Sequence, residues 1–125
     1  MKKMFLVVFL ISPLNAYTDC WPSNDIIAGI AISSNAAILA DWGQTRHIAD
    51  NPESFYEKNS DLGPHPTRGE VNKYFAKRLI GINVVGCALG LIESDMMQTL
   101  FWASQLVYNV DVVHDNYQIG VKIDF

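Results

Sequence analysis

Residues 67–95, TRGEVNKYFAKRLIGINVVGCALGLIESD, set the architecture of this chain. Thr67-Arg68-Gly69-Glu70 has the spacing of a capping box, in which the threonine hydroxyl and the glutamate carboxylate satisfy each other's backbone N–H groups. A helix therefore starts at Arg68. Its charges (Arg68, Glu70, Lys73, Lys77, Arg78) are confined to the first three turns, and the 14 residues Leu79–Ile92 carry none. Gly86 and Gly90 stand four apart in that run, a spacing that lets helices approach closely. Glu93-Ser94 then interrupts the pattern, and Ser94 caps a further helix beginning at Asp95. So short a connection makes the two helices antiparallel neighbours. The spacing predicts helices over 68–92 and 95–114.

The same division recurs upstream. Ile26–Ala40 is a run of 15 uncharged residues, preceded by Asp25, whose negative charge suits the positive end of a helix dipole. With Ser23 or Asn24 as cap, a helix is expected over about 24–49. Gly29, Ser33 and Ala37 recur every fourth residue and form a smooth stripe, expected to face another helix. Past Ala40 the helix turns polar, with Asp41, Gln44 and Thr45 on one face and Arg46 and His47 beside them. Met96–Val110 supplies a third uncharged run, again of 15 residues. Each run falls short of the ~20 residues of an ordinary membrane span. Each is also long enough for a buried helix of a small bundle.

Composition tips the balance toward lipid. A water-soluble bundle shows charges every turn or two on its outer faces. Here small residues at four-residue spacing and uncharged polar residues such as Asn35 and Asn83 occupy the apolar runs, as in lipid-embedded helices. Lys73, Lys77 and Arg78 flank one run as cations flank a membrane segment. Their alternative is a solvated face in which Glu70 pairs with Lys73 or Lys77.

Asn51-Pro52-Glu53 places a cap before a proline at a first helical position, predicting a short helix over 52–57. Gly63-Pro64 and Pro66 mark the loop that follows. At the C-terminus, Tyr117, Ile119, Val121, Ile123 and Phe125 alternate with Gln118, Gly120, Lys122 and Asp124, the period of a β-strand over 117–125. A lone strand needs a partner edge. The expected fold is mainly α: three long helices, one short helix and a C-terminal strand, in a single small helical domain spanning residues 17–125.

Residues 1–16 read as a signal peptide: basic Lys2-Lys3, apolar Met4–Ile11, a helix-breaking Ser12-Pro13 and a small-residue end at Ala16. Leu14 is bulky for the third position before a cleavage site, which leaves an uncleaved anchor as the alternative. Tyr17-Thr18-Asp19 before Cys20 argues against a lipoprotein. The expected location is outside the cytoplasm, in the periplasm or associated with a membrane of a bacterial envelope. Without Lys2 and Lys3, seven basic residues face thirteen acidic ones, which argues against a nucleic-acid partner. Cys20 and Cys87 either pair in an oxidising compartment, or Cys87 is a small buried side chain.

The candidate binding residues are Asp41, Gln44, Thr45, Glu57, Asn59 and His65. One arrangement gathers them at the end of the bundle, where an acid, an amide, a hydroxyl and an imidazole bind a small polar ligand or a partner's backbone. In the other, Asp41 and Gln44 satisfy the backbone of the 51–66 loop. Catalysis has little support, because neither G-x-S-x-G nor a cysteine-nucleophile motif occurs; only a Glu57/His65 acid–base pair stands open. His47, His65 and His114 lack zinc-ligand spacing, so no metal or cofactor is expected.

Asp41-Trp42-Gly43-Gln44-Thr45, Tyr56-Glu57-Lys58-Asn59, Leu62-Gly63-Pro64-His65-Pro66, Val71-Asn72-Lys73-Tyr74-Phe75 and Asn116-Tyr117-Gln118-Ile119-Gly120 together resemble a group of small envelope proteins encoded by bacteria and their phages. That group reads D-x-x-Q-T, E-x-N-P-x-L-G-x-H-P, V-x-x-Y-F and N-Y-x-I-G. Ser60-Asp61 departs from its pattern. The resemblance implies a family identity and carries no activity. Separately, Gln118–Phe125 resembles the C-terminal signal of outer-membrane barrels, which would make Tyr117, Gly120, Ile123 and Phe125 a partner strand for a barrel edge or its insertion machinery. Taken together, the sequence points to a small exported, membrane-associated envelope protein that acts by protein–protein contact or self-association. Its alternatives are a soluble periplasmic binding or inhibitor domain and the strand-donating protein just described.

Overall fold

The computed structural model describes residues 20–125, so the signal-peptide expectation for 1–16 lies outside the described residues. Three long helices make up the fold: α1 (Asp25–Asp50), α2 (Arg68–Leu91) and α3 (Asp95–Gln118). Each begins where its cap predicts. Asn24 accepts from the amides of Ile26 and Ile27. Thr67 and Glu70 form the reciprocal box. Ser94 accepts from the Met97 amide. Every cap satisfies N–H groups that the first helical turn leaves unpaired.

Interhelical contacts fix the directions. Cys20, five residues before α1, is bonded to Cys87 near the end of α2, and Asp41 late in α1 pairs with Arg78 in the first half of α2. α1 and α2 are therefore antiparallel. α3 returns alongside α1, with Trp102 against Ile27 and Ala31 at one end and Gln44 donating to the Val113 carbonyl at the other. The contact between α1 and α3 is the most extensive of the three.

Two hydrophobic clusters divide the interior. Ile38, Trp42, Val71, Phe75 and Leu79 fill the polar half of the bundle, where the Trp42 and Phe75 rings stack with centroids 6.0 Å apart. Ile27, Ala31 and Trp102 fill the other half. There Gly86 does what its spacing predicts: a Cβ on it would lie 2.2 Å from the Trp102 ring. Gly90 similarly admits the Cys20 backbone, whose carbonyl oxygen would be 2.1 Å from an added Cβ.

Three expectations need correction. The first is the C-terminal strand, which is absent: no strand occurs among the described residues, and α3 runs through Tyr117 to Gln118. Helix formation prevails because the Asn116 side-chain amide is anchored to the side-chain oxygen of Gln44. The helix closes in a Schellman motif, with the Gly120 amide bonded to the Tyr117 carbonyl and the Val121 amide to the Asn116 carbonyl. Gly120 adopts φ 88°, a left-handed conformation that costs glycine little. Residues 121–125 then cross α1 as extended chain, held by one backbone bond from the Asp124 amide to the Gly43 carbonyl at 3.0 Å.

The short helix over 52–57 is the second correction. Only a turn forms there, closed by the Ser54 and Phe55 amides on the Asn51 carbonyl. Glu57 is drawn instead toward the loop, its amide bonded to the Pro64 carbonyl. Third, the Gly29/Ser33 stripe faces outward. Gly29 and Ser33 are exposed, and Ala31, Ser34 and Ile38 face the core in their place.

Candidate functional site

The polar residues of α1 meet those of α2 and α3 at one level of the bundle. Asp41 accepts from Arg78 at 3.1 Å and from the Thr45 hydroxyl at 3.5 Å. Arg78 reaches on to the Asn109 side-chain oxygen at 2.7 Å, so one guanidinium joins all three helices. Its charge also lies over two rings, Phe75 at 5.8 Å and Tyr108 at 5.6 Å. One helical turn further along α1, Gln44 donates to the Val113 carbonyl and accepts from Asn116. Asn72 accepts from both the Trp42 indole and Arg46. The bonds of this network run between side chains and backbone inside the protein.

The candidate residues therefore separate into two groups. Asp41, Gln44 and Thr45 are buried; Asp41 and Gln44 bond to other helices, and Thr45 bonds to Asp41 within α1. The expectation that Asp41 and Gln44 hold the 51–66 loop is thus corrected: their partners lie on α2 and α3. Glu57 and Asn59 organise the loop themselves. Glu57 accepts from the Asn59 amide at 2.8 Å, Asn59 accepts from the Asp61 amide at 2.9 Å, and the Asn59 carbonyl takes the amides of Leu62 and Gly63. Glu57 also comes near enough to Asp41 for its charge to act there. His65 is exposed on the loop, away from that network. Among the described residues no cluster of three or more His, Cys, Asp and Glu side chains is placed to hold a metal ion.

Sequence reasoning missed Arg78 as the hub, along with Asn72, Asn109 and Asn116. Arg78 stood in a run of cations that read as a headgroup patch; its position one turn past Phe75, beside the core-facing stripe Val71, Phe75 and Leu79, was the available signal. It also missed why Gly43 follows Trp42. A Cβ there would lie 2.6 Å from Ile123 and 2.8 Å from Phe125, so the C-terminal tail needs a bare backbone to cross. Phe125 then meets the edge of Trp42 and lies under Arg46. Of the four residues expected as a partner strand, Tyr117 belongs to the helix, Gly120 makes the turn, and Ile123 and Phe125 pack on Gly43.

Cys20 and Cys87 are joined in a disulfide. Glu70, in the capping box of α2, has a shifted carboxyl. Hydrogen bonds from the Thr67 amide and hydroxyl hold its carboxyl below the usual glutamate value.

α1 and α2 are each long and apolar enough to cross a membrane by length and composition. Apolar side chains stand out from the same half of the bundle on all three helices. They include Ile26 and Ile32 on α1, Ile80 and Val84 on α2, and Leu100 and Val107 on α3, each exposed by 58% or more. No family model, curated protein or solved structure matches the chain.

Proposed function

We propose that this is a small, non-catalytic protein of a bacterial envelope, held in a membrane by the apolar half of its bundle and acting by contact with a protein partner through its polar half. The supporting observation is the ring of exposed Ile, Val, Leu and Met side chains on the uncharged runs of all three helices. A patch of this extent on a water-exposed monomer marks an interaction surface. Lipid suits an apolar surface carried by all three helices better than a single protein partner does.

Inside this half, one pair of polar side chains is joined across two helices. Asn35 and Asn83 donate to one another, and each also donates to a carbonyl one turn back in its own helix. Such amide pairs join helices where water is unavailable. Contact is favoured over catalysis because Asp41, Arg78, Gln44 and Asn109 are engaged with each other rather than aimed into a cleft. In the resemblance to small envelope proteins of bacteria and phages, Gln44 of the D-x-x-Q-T block and Asn116 of the N-Y-x-I-G block bind α1 to α3.

Carbonate extraction of membranes from expressing cells tests the proposal. Retention of the full chain in the pellet is expected. Release into the supernatant would favour the alternative of a soluble periplasmic binding or inhibitor domain. The strand-donating alternative has lost its basis, since Tyr117 and Gln118 are helical and the tail is seated on Gly43.

A further inference from the structure

The three uncharged runs are scattered in sequence but level in space. α1 and α3 run parallel and α2 runs against them, so Ile26–Ala40, Leu79–Ile92 and Met96–Val110 lie side by side. At ~1.5 Å per residue they make a layer roughly 22 Å deep. The disulfide, Asp25, Glu93 and Asp95 bound one side of this layer, and the Asp41–Arg78–Asn109 network bounds the other.

All seven Lys and Arg residues after position 16 lie on the second side: Arg46, Lys58, Arg68, Lys73, Lys77, Arg78 and Lys122. The disulfide side holds none among the described residues. Acidic residues occur on both sides, so the asymmetry belongs to the cations alone. That distinction matters, because orientation in a membrane follows Lys and Arg rather than net charge. The disulfide bears on the same question independently. Cystines persist in oxidising compartments and not in the cytosol. Both observations select one orientation, and the inverse would violate both.

We propose that the bundle crosses the cytoplasmic membrane with the Cys20–Cys87 end on the outer, oxidising side and the basic end in the cytoplasm. This rests on the membrane assignment above and adds a direction to it. On the outer face of α2, Lys73 and Lys77 continue without interruption into Ile80, Val84, Ala88 and Leu91, all at helical spacing and on the exposed or half-exposed surface. Neither lysine makes an ion pair within the described residues, whereas Arg78 beside them turns inward to Asp41. Lysines at this margin sit among the anionic headgroups of the inner leaflet. Their long stems also lengthen a layer that is thinner than the ~30 Å hydrocarbon core. Tyr108, exposed beside Arg78, is an aromatic at the same margin.

The test uses single cysteines added to the full chain, with the native disulfide retained. D95C marks the outer end and S60C the basic end, both at exposed positions. Intact spheroplasts are treated with a membrane-impermeant maleimide, before and after lysis. D95C is expected to react in intact spheroplasts, and S60C to gain at least tenfold in labelling only on lysis. Reaction of S60C but not D95C in intact spheroplasts would overturn the orientation while leaving a carbonate-resistant protein in the membrane. Equal reaction of both, with release by carbonate, would overturn the membrane assignment itself. Alkylation before reduction supplies the second readout: Cys20 and Cys87 are expected blocked in cells, and reactive thiols at both would contradict the proposal.

Discussion

Replacing Arg78 by Met should be the most damaging conservative change in this protein. The guanidinium and the Asp41 carboxylate are 3.1 Å apart with side chains only 15% and 7% exposed, which removes the pair from the class of surface ion pairs that contribute ~0–1 kcal/mol. Methionine retains most of the stem but leaves a buried carboxylate facing no cation, and the Asn109 oxygen loses its donor. Breaking such a pair from one side costs about 3–5 kcal/mol. Against a total stability on the order of 5–15 kcal/mol, that is a large fraction. The double variant Asp41→Asn/Arg78→Met removes the stranded charge and should recover part of the loss, a coupling of about 1–3 kcal/mol. Guanidinium titration of the protein in a mild detergent, followed by tryptophan fluorescence, gives both numbers, since Trp42 and Trp102 are buried in the two clusters. A cost below about 1 kcal/mol for Arg78→Met, or additivity of the two substitutions within ~0.5 kcal/mol, would refute the idea that Arg78 holds the three helices together.

Other outcomes follow from single contacts. Asn35→Leu alone strands the Asn83 amide and should destabilise by about 1–3 kcal/mol, while Asn35→Leu/Asn83→Leu should be closer to wild type in the same titration. Gly43→Ala pushes against Ile123 and Phe125, so hydrogen exchange at the Asp124 amide should accelerate with little change in helix content by circular dichroism. The Cys20–Cys87 crosslink spans 67 residues, so Cys20→Ser/Cys87→Ser should lose up to about 4 kcal/mol by the loop-entropy estimate. Glu70 has a folded pKa below its ordinary 4.5, so its contribution is complete above that pH and disappears as pH falls through the depressed value. The stability advantage of wild type over Glu70→Gln should therefore narrow on acidification below about pH 4.5 and stay constant from pH 6 to 8.

Helix boundaries were legible wherever a side chain satisfies backbone groups locally. Asn24, Thr67 with Glu70, and Ser94 announce their helices because a cap acts within three residues of itself. The antiparallel pairing of α2 and α3 followed from the two-residue link Glu93-Ser94 in the same local way. What escaped depends on distant partners. Alternation over 117–125 satisfies the strand period, yet Asn116 is tied to Gln44, 72 residues earlier, and that anchor extends the helix past the point where alternation suggests a strand. Gly120 was the overlooked clue, as a glycine just past a helix end is the commonest C-terminal stop. The Gly29/Ser33 stripe was recognised as small but assigned to the wrong side, because a smooth face reads alike toward a helix or toward lipid. Asp41, Gln44 and Thr45 were marked as polar residues out of place, and their depth explains why: each has a partner on another turn or helix that composition does not reveal.

A nitroxide at Val84, which projects from the uncharged half of α2 with 59% of its surface open, measures directly what covers that half. In reconstituted bilayers, oxygen should relax the label strongly while a water-soluble nickel chelate leaves it unchanged. Strong relaxation by the chelate would place Val84 in water and contradict a lipid-covered bundle.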